Sequence, residues 1–122
     1  MLFPGKNKNR EEPTMIVTVK HRTTRQLLTA LGIPAQHIGY RCLCLAIPYY
    51  ARNPAQAITK ELYPSISRKL SYGTGAAVER SIRYVIEAAW NHRNQKVWSA
   101  CFPNHTRRPT NKEFITTLAQ YL

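Results

Sequence analysis

In residues 74–90 the apolar side chains Val78, Ile82, Val85, Ile86 and Ala89 recur at i, i+4, i+7, i+8 and i+11, with Glu79, Arg80, Arg83 and Glu87 between them. Only a helix gathers that spacing onto one face, so this segment lies on a core with its charges turned outward. Whatever covers the stripe must come from the rest of the chain, and little there reads as sheet. Residues 15–20 (Met-Ile-Val-Thr-Val-Lys) alternate enough for one short strand, but no convincing partner strand follows. The remainder of residues 1–21 mixes Pro, Gly, Lys and Asn without periodicity and reads as a flexible basic arm.

Residues 22–122 read as a helical domain. Thr23-x-x-Gln26 is a capping box that opens a first helix, and Gly32 suits its C-terminal cap. Pro34 stands where a second helix can start, with Ile38, Cys42, Leu45, Ala46 and Tyr49 as its core stripe and Pro48 as a kink near its end. A third helix is expected over 55–62, with Ile58 and Leu62 inward. A fourth, opened by Pro64, is expected over 65–70, with Ile66 and Leu70 inward. After the polar break 71–74 comes the striped helix, anchored at its far end by Trp90. A short helix over 95–102 follows, and a second capping box, Thr110-x-x-Glu113, opens the last one ahead of Phe114, Leu118 and Leu122. The expected fold class is all-α, about six helices in one domain, with a helix-turn-helix embedded at about 65–90.

Charge narrows the partners. Eighteen Lys and Arg against six acidic residues leave a formal net charge of +12 on 122 residues, a balance that favours a polyanion. The cations are scattered from Lys6 to Lys112 and not gathered on one amphipathic helix. No apolar run approaches the roughly 18 residues of a membrane span, and the basic N-terminus has no apolar signal core. Nucleic acid is therefore favoured over a membrane, and the expected location is the cytoplasm.

Catalysis finds little support. All six acids are glutamates, which removes aspartyl-phosphate chemistry and aspartate-built metal sites, and only Glu79 and Glu87 are spaced to suggest a pair. Cys42, Cys44 and Cys101 fit neither an even disulfide framework nor zinc spacing and read as small core residues. His21, His37, His92 and His105 are too widely separated for a metal site. No catalytic residue, metal or cofactor is expected, and the chain does not read as an enzyme.

Two helices joined by a tight glycine-bearing turn, the second longer and basic in its exposed N-terminal half, form the arrangement that docks in a major groove. Ala76, Ala77, Glu79, Arg80 and Arg83 are the candidate base contacts. Small residues at 75–77 let the backbone approach, Arg80 can give a bidentate pair to guanine, Glu79 can accept from a cytosine amino group, and Arg83 can take a phosphate or a second base. Lys60, Arg68, Lys69, Thr74, Gly75, Tyr84, Arg107 and Arg108 are the candidates for the DNA backbone. Glu79 and Arg83 are equally well spaced for an exposed i,i+4 ion pair on a solvated face.

Four segments carry a resemblance beyond spacing: Leu31-Gly-Ile-Pro-Ala-x-x-x-Gly-Tyr40, Ile58-Thr-Lys-x-Leu-Tyr-Pro64, Val78-Glu-Arg-x-Ile-Arg83 with Ile86-Glu-x-Ala-Trp90, and Arg108-Pro-Thr-Asn-x-Glu-Phe-Ile115. In this order and at these distances, residues 24–122, about four-fifths of the chain, resemble the C-terminal DNA-binding domain of the stage-zero sporulation response regulator of endospore-forming bacteria. The resemblance implies an all-helical domain that reads a short duplex box with the helix containing Val78-Glu-Arg80 and regulates transcription at sporulation-type promoters. Residue by residue, Glu79 and Arg80 match the family's base-reading pair, and Arg83 matches a neighbouring contact. Ala77 stands where the family has an arginine that reads a guanine. The turn 71–77 is one residue longer, and Pro48 lies inside the second helix. The family's regulator also carries a phosphorylated receiver domain, which this aspartate-free chain is expected to lack.

The expected partner is double-stranded DNA, bound by a protein that is monomeric in solution or a tandem dimer on its site. The alternative is a protein-interaction module that binds RNA polymerase or a full-length relative as an antagonist. The resemblance places contact with the polymerase sigma subunit after Trp90, at His92, Arg93, Lys96 and Trp98, where Trp98 serves either as an exposed contact or as ordinary core. Non-specific RNA binding gains from the charge but lacks the basic and aromatic stripe of single-strand binders.

Overall fold

Thr23 and Thr110 each close a reciprocal capping box. The Thr23 hydroxyl accepts from the Gln26 amide at 3.1 Å while the Gln26 side chain accepts from the Thr23 amide at 2.9 Å, and Thr110 and Glu113 repeat the exchange at 3.1 and 2.9 Å. They open the first and last helices of a computed structural model that describes residues 22–122. In chain order these are α1 (Thr24–Ala30), α2 (Ile38–Arg52), a π-helical turn (Ile58–Leu62), α3 (Tyr63–Leu70), α4 (Gly75–Asn91), α5 (Gln95–Cys101) and α6 (Asn111–Ala119). Among the described residues there is no strand, and the architecture is all-α with six α-helices. The basic arm and the short strand expected at 15–20 lie outside the described residues.

Helix α2 is the central post, with α4 and α6 packed along it and α3 against α4. That position explains why its core arc differs from the expected stripe. Cys42 and Ala46 are buried, but Gly39, Tyr40, Leu43 and Ile47 share the interior with them, while Ile38, Leu45 and Tyr49 are only partly covered. A helix covered from two sides buries a wider arc than a surface helix does. The helix begins at Ile38, after a turn that follows Pro34. Its N-cap is His37, whose Nδ1 accepts from the Gly39 amide at 2.9 Å, and it runs past Pro48 to Arg52.

The third and fourth helices expected from the sequence are one continuous helical run. Pro64 has no N–H to offer the Lys60 carbonyl, and the backbone meets it with a wider turn in which the Leu62 and Tyr63 amides reach back five residues to Ala57 and Ile58. On α4 the stripe is as expected, with Val78, Ile82, Val85, Ile86 and Ala89 buried and Ser81 among them. An aromatic cluster closes the far end of the core. Trp98 stacks on Phe102 at 5.5 Å, Phe102 stacks on Phe114 at 5.4 Å, and Trp90 meets Trp98 edge-on at 5.5 Å. Cys42 and Cys101 are buried in this core, and burial pushes both thiols up to about 11, which leaves them inert as nucleophiles.

Candidate nucleic-acid interface

The turn between α3 and α4 is built around one hydroxyl. Ser67 Oγ lies 2.9 Å from both the Tyr72 and the Gly73 carbonyl oxygens, and the Tyr72 amide donates back to the Ser67 carbonyl at 2.9 Å. The chain turns through left-handed conformations at Ser71 (φ 49°) and Gly73 (φ 55°). A Cβ at Gly73 would also stand 2.8 Å from that of Ala77, so glycine is required there on two counts. Thr74 then caps α4, its hydroxyl accepting from the Ala77 amide at 3.2 Å. The helix enters tightly against α3, because a Cβ on Gly75 would be 3.3 Å from the Pro64 ring.

Outward from the buried stripe, Ala76, Arg80, Arg83 and Tyr84 are exposed, while Ala77 and Glu79 are half-buried. No acidic side chain pairs with Arg80 among the described residues. Glu79 and Arg83 form the i,i+4 pair at 3.8 Å, an exposed contact worth about 0.3–0.5 kcal/mol and cheap to open. Tyr84, 57% exposed, stacks on His37 at 4.7 Å and so ties the middle of α4 to the start of α2. On the opposite flank, the Asn111 side-chain amide donates to the Glu79 carbonyl at 2.9 Å, and Asn111 and the buried Tyr63 border the same groove.

The flanking cations divide into two groups. Lys60, Arg68 and Lys69 are exposed and without an acidic partner among the described residues. Arg107 is held by Glu113 in a bidentate pair at 3.0 and 3.0 Å, and Arg108 lies 3.4 Å from Glu87. A groove of about 330 Å³ separates Arg108 and α6 from α4, bordered by Glu79, Arg83, Asn111 and Lys112.

Of the expected polymerase-contact group, Trp98 is withdrawn from the surface. Trp98 is 1% exposed and its indole N–H donates to the Leu31 carbonyl at 3.1 Å, so it pins α5 to the end of α1 as core. Arg93 lies 3.7 Å above the Trp90 ring and donates to the Trp90 carbonyl at 2.8 Å, which fixes it over the helix end. Only His92 and Lys96 of the four are exposed. Conversely, His37, Tyr63, Asn111 and Lys112 border the α4 surface without having been singled out by spacing. Asn111 is the one with a readable signal, since a short polar side chain at the first position of a helix is free to bond a neighbouring backbone.

A short tied turn, a buried stripe beneath and an exposed basic face above define an all-helical DNA-binding domain of the helix-turn-helix type. Residues 24–122 match the family model described as Sporulation initiation factor Spo0A C terminal. The chain belongs to that family of DNA-binding effector domains, which act in transcription regulation during sporulation. No helix among the described residues is long and apolar enough to cross a membrane.

Proposed function

We propose that the protein is a sequence-specific, double-stranded DNA-binding transcription regulator that inserts α4 into a major groove, in the cytoplasm and without catalytic activity. The observation that carries this reading is Arg80, an exposed guanidinium at the centre of the α4 face opposite the core, with no acidic partner among the described residues. Arg80 reads a guanine, Glu79 a cytosine amino group once Arg83 swings to a phosphate or a second base, and Ala76 and Ala77 let the helix sit deep. Thr74, Gly75 and Tyr84 border the same face, and Lys60, Arg68 and Lys69, which have no acidic partner among the described residues, meet phosphates without first breaking an ion pair there. Arg107 and Arg108 reach the backbone by exchanging Glu113 and Glu87 for phosphate. The domain binds as a monomer or as a tandem pair on adjacent boxes.

Selection of binding sites from a random duplex pool tests the reading. A short enriched motif is expected, with affinity falling at a log-log salt slope of about −0.9 per phosphate contact. Arg80→Ala costs roughly 1–3 kcal/mol on that motif and relaxes discrimination at one guanine. Equal weakening on all sequences assigns Arg80 to phosphate, and an unselective pool with a flat salt response overturns the proposal.

A further inference from the structure

Lys112 occupies a position that helix energetics disfavours. It is exposed, lies in the first turn of α6 where the aligned peptide dipoles oppose a positive charge by about 0.3–1 kcal/mol, and has no acidic partner among the described residues. The neighbouring Glu113 carboxylate, which could have offset it, is committed to Arg107 and to the Thr110 amide. Nothing in the packing of α6 needs a lysine here, because Phe114, Ile115 and Leu118 do the burying.

Its surroundings say what the charge is for. The groove of about 330 Å³ that leaves α4 at Glu79 and Arg83 ends on Lys112. A second groove of about 520 Å³ begins there, shares Ile58, Thr59 and Lys112 with the first, and carries Lys60 and Tyr50 without any acidic residue along its wall. Sharing these lining residues, the two adjoin from the flank of α4 past Lys112 to Lys60, and beyond Glu79 they bring together two ammonium groups that have no acidic partner among the described residues. Like charges collected this way are costly in the free protein and are compensated by an anionic chain laid along them.

We infer that Lys112 is a DNA-backbone contact and that the adjoining grooves from Arg83 past Lys112 to Lys60 seat the phosphates flanking the base-read box. The inference rests on the reading of α4 given above and extends the footprint along one strand beyond it. Lys112 fixes register and adds affinity without reading sequence, as backbone contacts do.

Fluorescence anisotropy on the selected box and on a scrambled duplex, across a salt series, tests it with wild type, Lys112→Ala, Lys112→Glu and the control Lys96→Ala, whose lysine borders neither groove. Lys112→Ala is expected to weaken both duplexes equally and to lower the salt slope by about one; a contact of slope about 0.9 corresponds to roughly eightfold at about 0.1 M salt and fades toward 1 M. Lys112→Glu is expected to weaken binding further while raising the thermal midpoint, since an acid suits the first turn of a helix. That opposite movement of stability and affinity is something a merely structural lysine does not produce. Wild-type binding with Lys112→Ala indistinguishable from Lys96→Ala overturns the inference and leaves the α4 reading intact. Loss confined to the selected box overturns it as a backbone contact, and absence of duplex binding by the wild type overturns both readings together.

Discussion

The side-chain amide of Asn111, at the start of the last helix, donates to the main-chain carbonyl of Glu79 at 2.9 Å, so a residue far along the chain holds the backbone of α4 at its proposed base-reading position. This bond is a polar bracket between α4 and α6, and the buried Tyr63 of α3, whose ionisation burial disfavours, borders the same groove. Asn111→Ala removes one such bond and is expected to cost about 0.5–1.5 kcal/mol in urea denaturation. It should also broaden base preference at the pair read by Glu79 more than at the pair read by Arg80. Unchanged discrimination at both pairs in a titration of single-base variants would show that the bracket serves stability alone.

At Gly39 the backbones of α2 and α4 cross closely. A Cβ there would collide with the Ser81 carbonyl oxygen and stand 2.9 Å from Val85 Cγ1. Gly39→Ala is expected to destabilise the fold by roughly 1–3 kcal/mol, as overpacking of a tight crossing does, and thermal unfolding measures it. A variant as stable as wild type would mean that the helices part at no cost.

Glu113 carries the clearest acid dependence. The Arg107 guanidinium, with the Thr110 amide behind it, holds the Glu113 carboxyl at about 2 against an ordinary 4.5. The unfolded chain therefore takes up that proton first as the solution is acidified. The stability this pair contributes is complete above about pH 4.5 and drains away as the pH falls toward about 2. Glu113→Gln should be less stable than wild type near neutrality, and the gap should close across that window in denaturant melts at stepped pH. A gap independent of pH would assign the loss to the cap alone.

How far the sequence disclosed this arrangement depended on how local the physics was. Both capping boxes and the α4 stripe were readable because each is set by residues three or four apart. The merging of two helices across Pro64 was not, since proline signals a helix start and says nothing of the π turn that can precede it. Leu43 and Ile47 were missed on α2 because their burial depends on which helices flank it. Likewise the core position of Trp98 rests on a hydrogen bond to Leu31, and the use of His37 as a cap rests on a ring nitrogen. Neither has a sequence period. Of the candidate interface, Arg80 and Arg83 could be named from their place on the helix, whereas Asn111 and Lys112 arrive from a segment that only the fold brings beside α4.

Ala77 offers a gain-of-function test. Its Cβ nestles against Gly73 and its amide is the one capped by Thr74, so its side-chain direction at the helix start is fixed. Ala77→Arg keeps that Cβ and extends a guanidinium toward the proposed groove floor. It should add roughly 1–3 kcal/mol of preference for guanine at one base pair. The measurement compares wild type and variant on boxes carrying each of the four base pairs at that site. An equal gain on all four would place the new arginine on a phosphate and shift the docking register of α4.

The glycine crossing at Ser81 also has a kinetic side. Because α4 packs tightly against α2 at this crossing, the helix proposed to read the groove is already folded, and association is not expected to be slowed by a folding step. Encounter is then governed by the field of a strongly cationic surface. For the duplex binding proposed above, arrival is expected to be fast and nearly indifferent to sequence, with the difference between a right and a wrong box expressed in residence time.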